Sequence, residues 1–570
     1  MLVAVSGSQG CGKAQPIGSK ILTLVGWKNI EELIVGDKII APDNQESTVI
    51  GVFPQGRKPV FEITTHDGAR TRASDSHLWK ISTSKYTKFT NQNKSWYKKI
   101  EQVVSTSELK ILVEKSAHRR KGKLERNKWG SNVSIPVPCA LDFRSFTLPL
   151  SIPPYLLGCL LGDGSFKSSV IFTCADLNIL QKCSQLLIQN YQMNCSTNSI
   201  DYRISRGSAG SGYPNYYKEV LEEYNLWGCY SYEKFVPNQY KTASIENRWE
   251  LIQGLMDTDG TVSRNGHCSF STTSHQLAID VQQIIRSLGG TASIKHRTPH
   301  YKDKNGNQKY CRVAYNVNIQ HPTPKKLCYT PRKQERLRDI YYQGHKNGNI
   351  TLNRRVVSVE FIGEEDCICI AIDHPSQLYI TDDFIVTHNT TVLNELAKLG
   401  GNVITRKTSR SILTEWNVSL SEVNNNRELT VKFQDEILKR KFNDDIQISN
   451  GPGLYYTERT FVDLFTYALV AIGKDNEYSD WLNGYYRRCM EAQQIYDQVY
   501  FLTAGHFSPP KDGVRGINDH YSRLVDMVML DYTKRMTHPS ILNVVGTADL
   551  KDRVETIRIQ STSYYKLMRY

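Results

Sequence analysis

Three groups of residues in this 570-residue sequence carry atoms suited to making and breaking bonds. The first is split between two distant places. Gly7-Ser8-Gln9-Gly10-Cys11-Gly12-Lys13 spells most of a phosphate-cradling loop, but Ala14 stands where a Ser or Thr belongs. The missing hydroxyl residues, Thr390-Thr391, come directly after His388-Asn389, and joining Lys13 to Thr390 restores GSQGCGKTT. Such a joining removes residues 14–389 and leaves a 194-residue product. The Asn389 side-chain amide can attack its own carbonyl and release the segment as a cyclic imide. His388 can donate a proton or polarise that carbonyl. The Thr390 hydroxyl can hold the upstream flank as an ester, which relaxes to an amide once a free amine lies beside it.

The second group is a pair of similar segments, Leu156-Leu157-Gly158-Cys159-Leu160-Leu161-Gly162-Asp163-Gly164 and Leu251-Ile252-Gln253-Gly254-Leu255-Met256-Asp257-Thr258-Asp259-Gly260. Each reads as an apolar helix ending at an acid and a glycine. Gly158 and Gly162, and likewise Gly254 and Thr258, lie one turn apart and give each helix a face of small residues. Two such faces can approach closely and bring Asp163 and Asp259 together. Paired carboxylates call for a cation, so divalent metal, Mg²⁺, is expected there to activate water and stabilise a phosphate transition state. Lys295 is a candidate charge-stabilising lysine, with a simple phosphate contact as its other reading.

The third group lies downstream. Glu458-Arg459 precede an apolar helical run, and Pro509-Pro510-Lys511-Asp512-Gly513-Val514-Arg515-Gly516 is a basic Gly/Pro-rich loop. In the joined product, backbone N–H groups of Gly10, Cys11, Gly12 and Lys13, with Gly7 and Thr391 flanking them, would bind ATP phosphates. Lys13 would reach the β and γ oxygens and Thr390 would hold Mg²⁺.

Positioning these groups requires several domains. Residues 14–79 are rich in short strand-like runs with turn punctuation, such as Lys20–Val25 and Val35–Ile40. Strand-like runs return at Val356–Phe361, Cys367–Ile372 and Leu378–Ile380, whereas long amphipathic helices dominate after Val392. The expected order is nested: 1–13 and 390–570 as one α/β nucleotide-binding protein, 14–149 and 336–389 as an all-β unit, and 150–335 as an α+β insert. The formal charge of +14 favours a nucleic-acid partner. Thirteen cysteines without a CxxC pair indicate neither a zinc cluster nor a disulfide framework. No run of 18 apolar residues or secretory signal is evident, so a soluble, intracellular or cytoplasmic protein without membrane partners is expected.

The first group resembles an intein. Ala14-Gln15-Pro16-Ile17-Gly18-Ser19-Lys20, Ile30–Asp37, Ser74-Asp75-Ser76-His77 and Phe384-Ile385-Val386-Thr387-His388-Asn389 are similar to its splicing blocks. The resemblance implies a compact β fold that brings residues 14 and 389 together without any cofactor. Ala14 has no nucleophilic atom, so Cys369 is the candidate first attacker, with direct attack by Thr390 as the other route. A subclass lacking the usual first residue carries a Trp-Cys-Thr signature, matched here by Trp79, Cys369 and Thr387. By the same resemblance His77 and Ser74 polarise or protonate the Lys13–Ala14 bond. The paired segments resemble those of LAGLIDADG homing endonucleases, which implies a pseudo-twofold enzyme, active as a monomer, that cuts double-stranded DNA. The flanks resemble P-loop kinases for small molecules, including nicotinamide-riboside and phage nucleotide kinases. That implies Glu458 orienting a substrate hydroxyl and Arg515 clamping phosphate, with a plain ATPase as the alternative. Phage or microbial genomes are the usual setting by resemblance. Two other readings stay open: a splicing segment whose endonuclease has decayed, and a self-cleaving domain that does not ligate.

Overall fold

The computed structural model describes residues 1–7, 14–88, 95–121, 132–143, 150–195, 199–207, 214–302, 307–337, 352–388, 396, 402–404, 412–413, 415–416, 418, 420–449, 453–502, 519–546 and 550–568. Three sheet systems organise these residues.

The first is a five-stranded, wholly parallel sheet in the order Asn402–Ile404, Tyr455–Glu458, Leu2–Gly7, Gln498–Leu502, Leu542–Val545. The Leu2–Gly7 strand is central, and Leu2, Val3 and Ala4 are fully buried, as an unbroken apolar run in a parallel sheet should be. Its four companions all come from beyond residue 390. The helices Arg427–Ser449, Phe461–Ile472 and Ser479–Gln493 pack with it around Phe461, Phe465, Tyr485 and Val499.

The second is a twelve-stranded, antiparallel system drawn from residues 15–136 and 353–388. Its spine is two 20-residue strands, Glu46–Thr65 and Asn353–Ile372, paired along nearly their whole length. Four register shifts bend that pair, one of them between Cys367 and Ile368. Two expected strands are shorter than the sequence implied. Lys20–Thr23 stops before Gly26, whose φ of +107° makes the turn, and Lys38–Ile40 begins only after Gly36 at φ +103°.

The third consists of two four-stranded sheets of identical topology. Each sheet is built in the order helix, two strands, helix, two strands, and in the second a separate hairpin, His300–Lys302 with Gln308–Tyr310, comes before the last strand. The first pairs Gly164–Ser165, Ile171–Thr173, Asp201–Arg206 and Tyr191–Cys195 in that spatial order. The second pairs Gly260–Val262, Cys268–Thr272, Ala314–Gln320 and Thr291–Arg297 likewise. The helices Pro154–Asp163 and Ile245–Thr258 meet between them in one core that includes Tyr155, Leu156, Leu251 and Leu255. Pro154 suits the first helical turn, and Ser244 caps the other helix by accepting from Asn247 N–H.

Among the described residues, no helix is long and apolar enough to cross a membrane.

Candidate functional site

Ala14 and His388 meet on one short stretch, Ser74 to Leu78. The Ala14 amide nitrogen donates to Ser74 Oγ at 3.2 Å. Ser74 N–H returns a bond to the Ala14 carbonyl at 2.9 Å. From the other end, His388 pairs with Leu78, and the Thr387 hydroxyl is hydrogen-bonded to His77 Nε2. Thr387 also donates to the Leu78 carbonyl at 3.3 Å, which makes His77 Nε2–H the donor to Thr387. Ser74, His77, Thr387 and His388 are all buried.

Cys369 lies on the Asn353–Ile372 strand. Gln15 pairs with Ile368 and Pro16 with Cys367, so one further step along this ladder sets Ala14 across from Cys369. Ala14, Val60, Cys367 and Cys369 form a single buried cluster. Trp79 stands edge-on to the His77 ring with centroids 5.2 Å apart, and its indole N–H donates to Thr106 Oγ1 at 2.9 Å. Thr106 N–H in turn donates to the His77 carbonyl at 2.8 Å. The tryptophan therefore fixes the loop that carries His77. Gln15 is fully buried, and its amide is held by the Tyr379 phenol (2.9 Å) and Thr381 Oγ1 (2.9 Å). Burial first, then the neighbouring Cys369 and Asp382, push the Tyr379 phenol well up, so it stays a neutral donor.

The paired helices cross at their glycines. A Cβ on Gly158 would fall 2.3 Å from the Leu251 carbonyl, and one on Gly254 2.3 Å from that of Tyr155. One turn further on, a Cβ on Gly162 would strike the Thr258 side chain and come within 3.5 Å of Asp259. This close approach puts Asp163 beside Asp259. Burial and the charge of Asp163 push the Asp259 carboxyl up to about 6, against the pull of Lys234 and Lys333. Burial likewise raises Asp163. Two raised carboxyls, one of them pushed up by the charge of the other, fit a divalent cation. Among the described residues no group of three or more His, Cys, Asp or Glu gathers, so water and substrate oxygens would complete the shell.

Lys295 is exposed on the Thr291–Arg297 strand. The lysines that act on the aspartates are Lys234 and Lys333, which the sequence reading missed. Lys234 Nζ donates to the carbonyls of Leu160, Leu161, Gly162 and Gly164 at 2.7–3.2 Å. Lys333 Nζ donates to those of Met256, Asp257 and Gly260 at 2.6–2.8 Å. Each lysine thus caps the carboxyl end of one helix with a cation, where the backbone carbonyls are orphaned. Burial pulls Lys234 down to about 8. The signal was present as a repeat, since each lysine follows its aspartate by just over seventy residues.

Glu458 ends a strand beside Val5, near where the central strand stops at Gly7. Gly10, Cys11, Gly12, Lys13, Asn389, Thr390, Thr391 and Arg515 lie outside the described residues.

Residues 235–334 match the homing endonuclease family model. The replicative DNA helicase DnaB of Mycobacterium intracellulare is 26% identical over 398 residues, covering 68% of this chain and 61% of the relative. DnaB of a Nostoc strain is 25% identical over 266 residues, covering 44% and 26%. The chain thus spans less than two thirds of these relatives' lengths. Because the flanks hold only 194 residues, the first match extends well into 14–389. Among solved structures, mesophilic variants of the homing endonuclease I-DmoI share 16% identity, covering 31% of this chain and 92% of theirs, with a TM-score of 0.20. The gp41-1 intein shares 22%, covering 16% and 86%, with a TM-score of 0.12. The kinase reading of the flanks finds no support here, since the curated relatives bear the name of a helicase.

Proposed function

We propose that the chain excises residues 14–389 and joins Lys13 to Thr390, and that the freed segment is a metal-dependent endonuclease on double-stranded DNA. The observation carrying the first part is the anchoring of Ala14 and His388 to the same Ser74–Leu78 stretch, with Cys369 on the adjoining strand. In the first step the Cys369 sulfur attacks the Lys13 carbonyl, forming a thioester as the bond to the Ala14 nitrogen breaks. Ser74, already hydrogen-bonded to that nitrogen, relays the proton it gains on leaving, and the imidazole of His77 polarises the junction. The Thr390 hydroxyl then takes the acyl group and restores the thiol. Cyclisation of Asn389 releases the segment, and the ester shifts to the new Thr390 amine. Trp79 and Thr387 act by holding His77.

For the endonuclease, Asp163 and Asp259 would hold the divalent cation, which supplies activated water and charge stabilisation when bound. Lys234 and Lys333 hold the helix ends that present these carboxylates. The I-DmoI structures include complexes with target DNA prepared with magnesium or manganese, which supports the same partners here. We set the boundaries at 14–149 and 336–389 for splicing and 150–335 for the endonuclease. The joined flanks complete one parallel α/β sheet. The relatives' name makes a replicative helicase the host activity to test first, by DNA-stimulated ATP hydrolysis of the 194-residue product.

The thioester step is tested in a chain carrying both Asn389→Ala and Thr390→Ala, which leaves the acyl group on the Cys369 sulfur. Dithiothreitol should then release the first 13 residues as a peptide, and adding Cys369→Ala should abolish that release. Release that persists without the sulfur would remove Cys369 from the first attack.

A further inference from the structure

The endonuclease unit reaches into the splicing unit through one buried side chain. Arg286 ends the His275–Ser287 helix and is 1% exposed. Its Nη1 donates to Asp383 Oδ1 at 2.7 Å and its Nη2 to the Asp67 carbonyl at 3.1 Å, while Nε faces Asp67 Oδ2 at 3.4 Å. Arg354, fully buried on the Asn353–Ile372 strand, meets the same pair: Nε lies 3.3 Å from Asp67 Oδ2, and Nη1 donates to the Asp383 carbonyl at 2.7 Å. Two guanidinium groups and two carboxylates therefore close a compensated cluster. Burial works against charge on Asp67, but Arg354 and Arg286 hold its carboxyl below the usual range.

The turn held by this cluster is strained. Asp383 and Phe384 adopt φ of +55° and +58°, a left-handed backbone costly for residues with a side chain. A cavity of about 370 Å³, lined by Lys20, Arg70, Asp382 and Phe384 among others, opens beside it, so packing alone does not enforce the turn. It joins the strands Leu378–Thr381 and Ile385–His388. The first presents Tyr379 and Thr381 to Gln15, next to Ala14, and the second ends in Thr387 and His388. Asp382 ties the same turn to Lys20 N–H at 3.0 Å and Thr71 Oγ1 at 3.0 Å. The turn therefore sets both junctions at once.

We propose that Arg286, although borne by the endonuclease unit, is a positioning residue for splicing that acts by clamping the Asp382–Phe384 turn. This rests on the splicing reading above. Arg286→Lys keeps a cation against Asp67 but cannot bond Asp67 and Asp383 together. In the full chain it should slow splicing by roughly tenfold, since small misplacement of reacting groups has effects of that order or larger. Single-junction cleavage products should accumulate at the expense of ligated product, while the melting temperature and DNA cleavage stay near those of the parent. Arg286→Met should deepen the splicing defect, and Asp383→Asn added to it should change the product ratio little further, because the Arg286–Asp383 bond is already gone. A parent chain that does not splice defeats the splicing reading itself. A parent that splices, with both Arg286 variants matching its rate and product ratio, overturns the clamp. Splicing and DNA cleavage falling in proportion also overturn it, because the arginine then serves folding alone.

Discussion

At the scale of residues, the proposed chemistry rests on one buried sulfur and a pair of raised carboxyls. Cys369 shares a buried cluster with Ala14, and Ser74 accepts from the amide nitrogen that the proposed first step releases. We expect Cys369→Ala to lose nearly all cleavage at the amino-terminal junction while Asn389 still releases the other end slowly, as read by intact mass. Asp259 gives a pH signature. Its carboxyl titrates near 6 in the fold against an ordinary value of 3.8, so its contribution to stability is full below 3.8 and lost as pH rises through about 6. Relative to Asp259→Asn, the metal-free chain should therefore lose about 3 kcal/mol between pH 4 and 7, an order-of-magnitude figure from the size of the shift. Thermal melts of both proteins across that range check it, and a gap that stays constant with pH would remove Asp259 from the buried pair. The sequence made Cys369, Asp163 and Asp259 visible because each sits in a local pattern. Lys234 and Lys333 stayed hidden because their partners are backbone carbonyls, which exist as a target only once a helix end is formed.

Elements position these residues through close approach. The two small-residue faces were legible from glycine spacing, and the fold uses them as contact surfaces with backbone on both sides. Gly254→Ala would place a methyl group 2.3 Å from the Tyr155 carbonyl and force the helices apart. We expect a loss of about 1–3 kcal/mol or more in the endonuclease unit and at least a tenfold fall in DNA cleavage. An unchanged melting temperature would mean the helices do not meet at that glycine. Strand ends were less legible than strand cores. Lys20–Val25 and Val35–Ile40 look continuous in hydropathy, but glycines at positive φ cut them short, and φ is not written in hydropathy. The strained Asp382–Phe384 turn was invisible for a related reason: it is stabilised by arginines from elements remote in sequence.

For the whole molecule, the nested order follows from where the chain is interrupted. The insert leaves a sheet directly after its central strand, yet that strand remains parallel-paired on both sides with strands from beyond residue 390. The flanks are thus held together before any bond is cut, which favours ligation over release of separate ends. A DNA-cutting defect such as Asp163→Asn should leave splicing at the parental rate, because the bonds of Arg286 run to Asp67 and Asp383 and not to the aspartate pair. Matching loss of both activities would show the units to be one functional block. The separation into a parallel sheet, an antiparallel system and a paired-helix unit was legible because strand-like and helical patterns change along the chain. The host's activity was not, since a phosphate-loop pattern is shared by many chemistries and the comparisons favour a helicase name over a kinase. The most direct measurement is the intact mass of the full chain expressed and held under native conditions, followed by digestion. Splicing predicts a 376-residue and a 194-residue product and a peptide running from Lys13 into Thr390. Persistence of the 570-residue chain alone, or flanks released without that joined peptide, would contradict it.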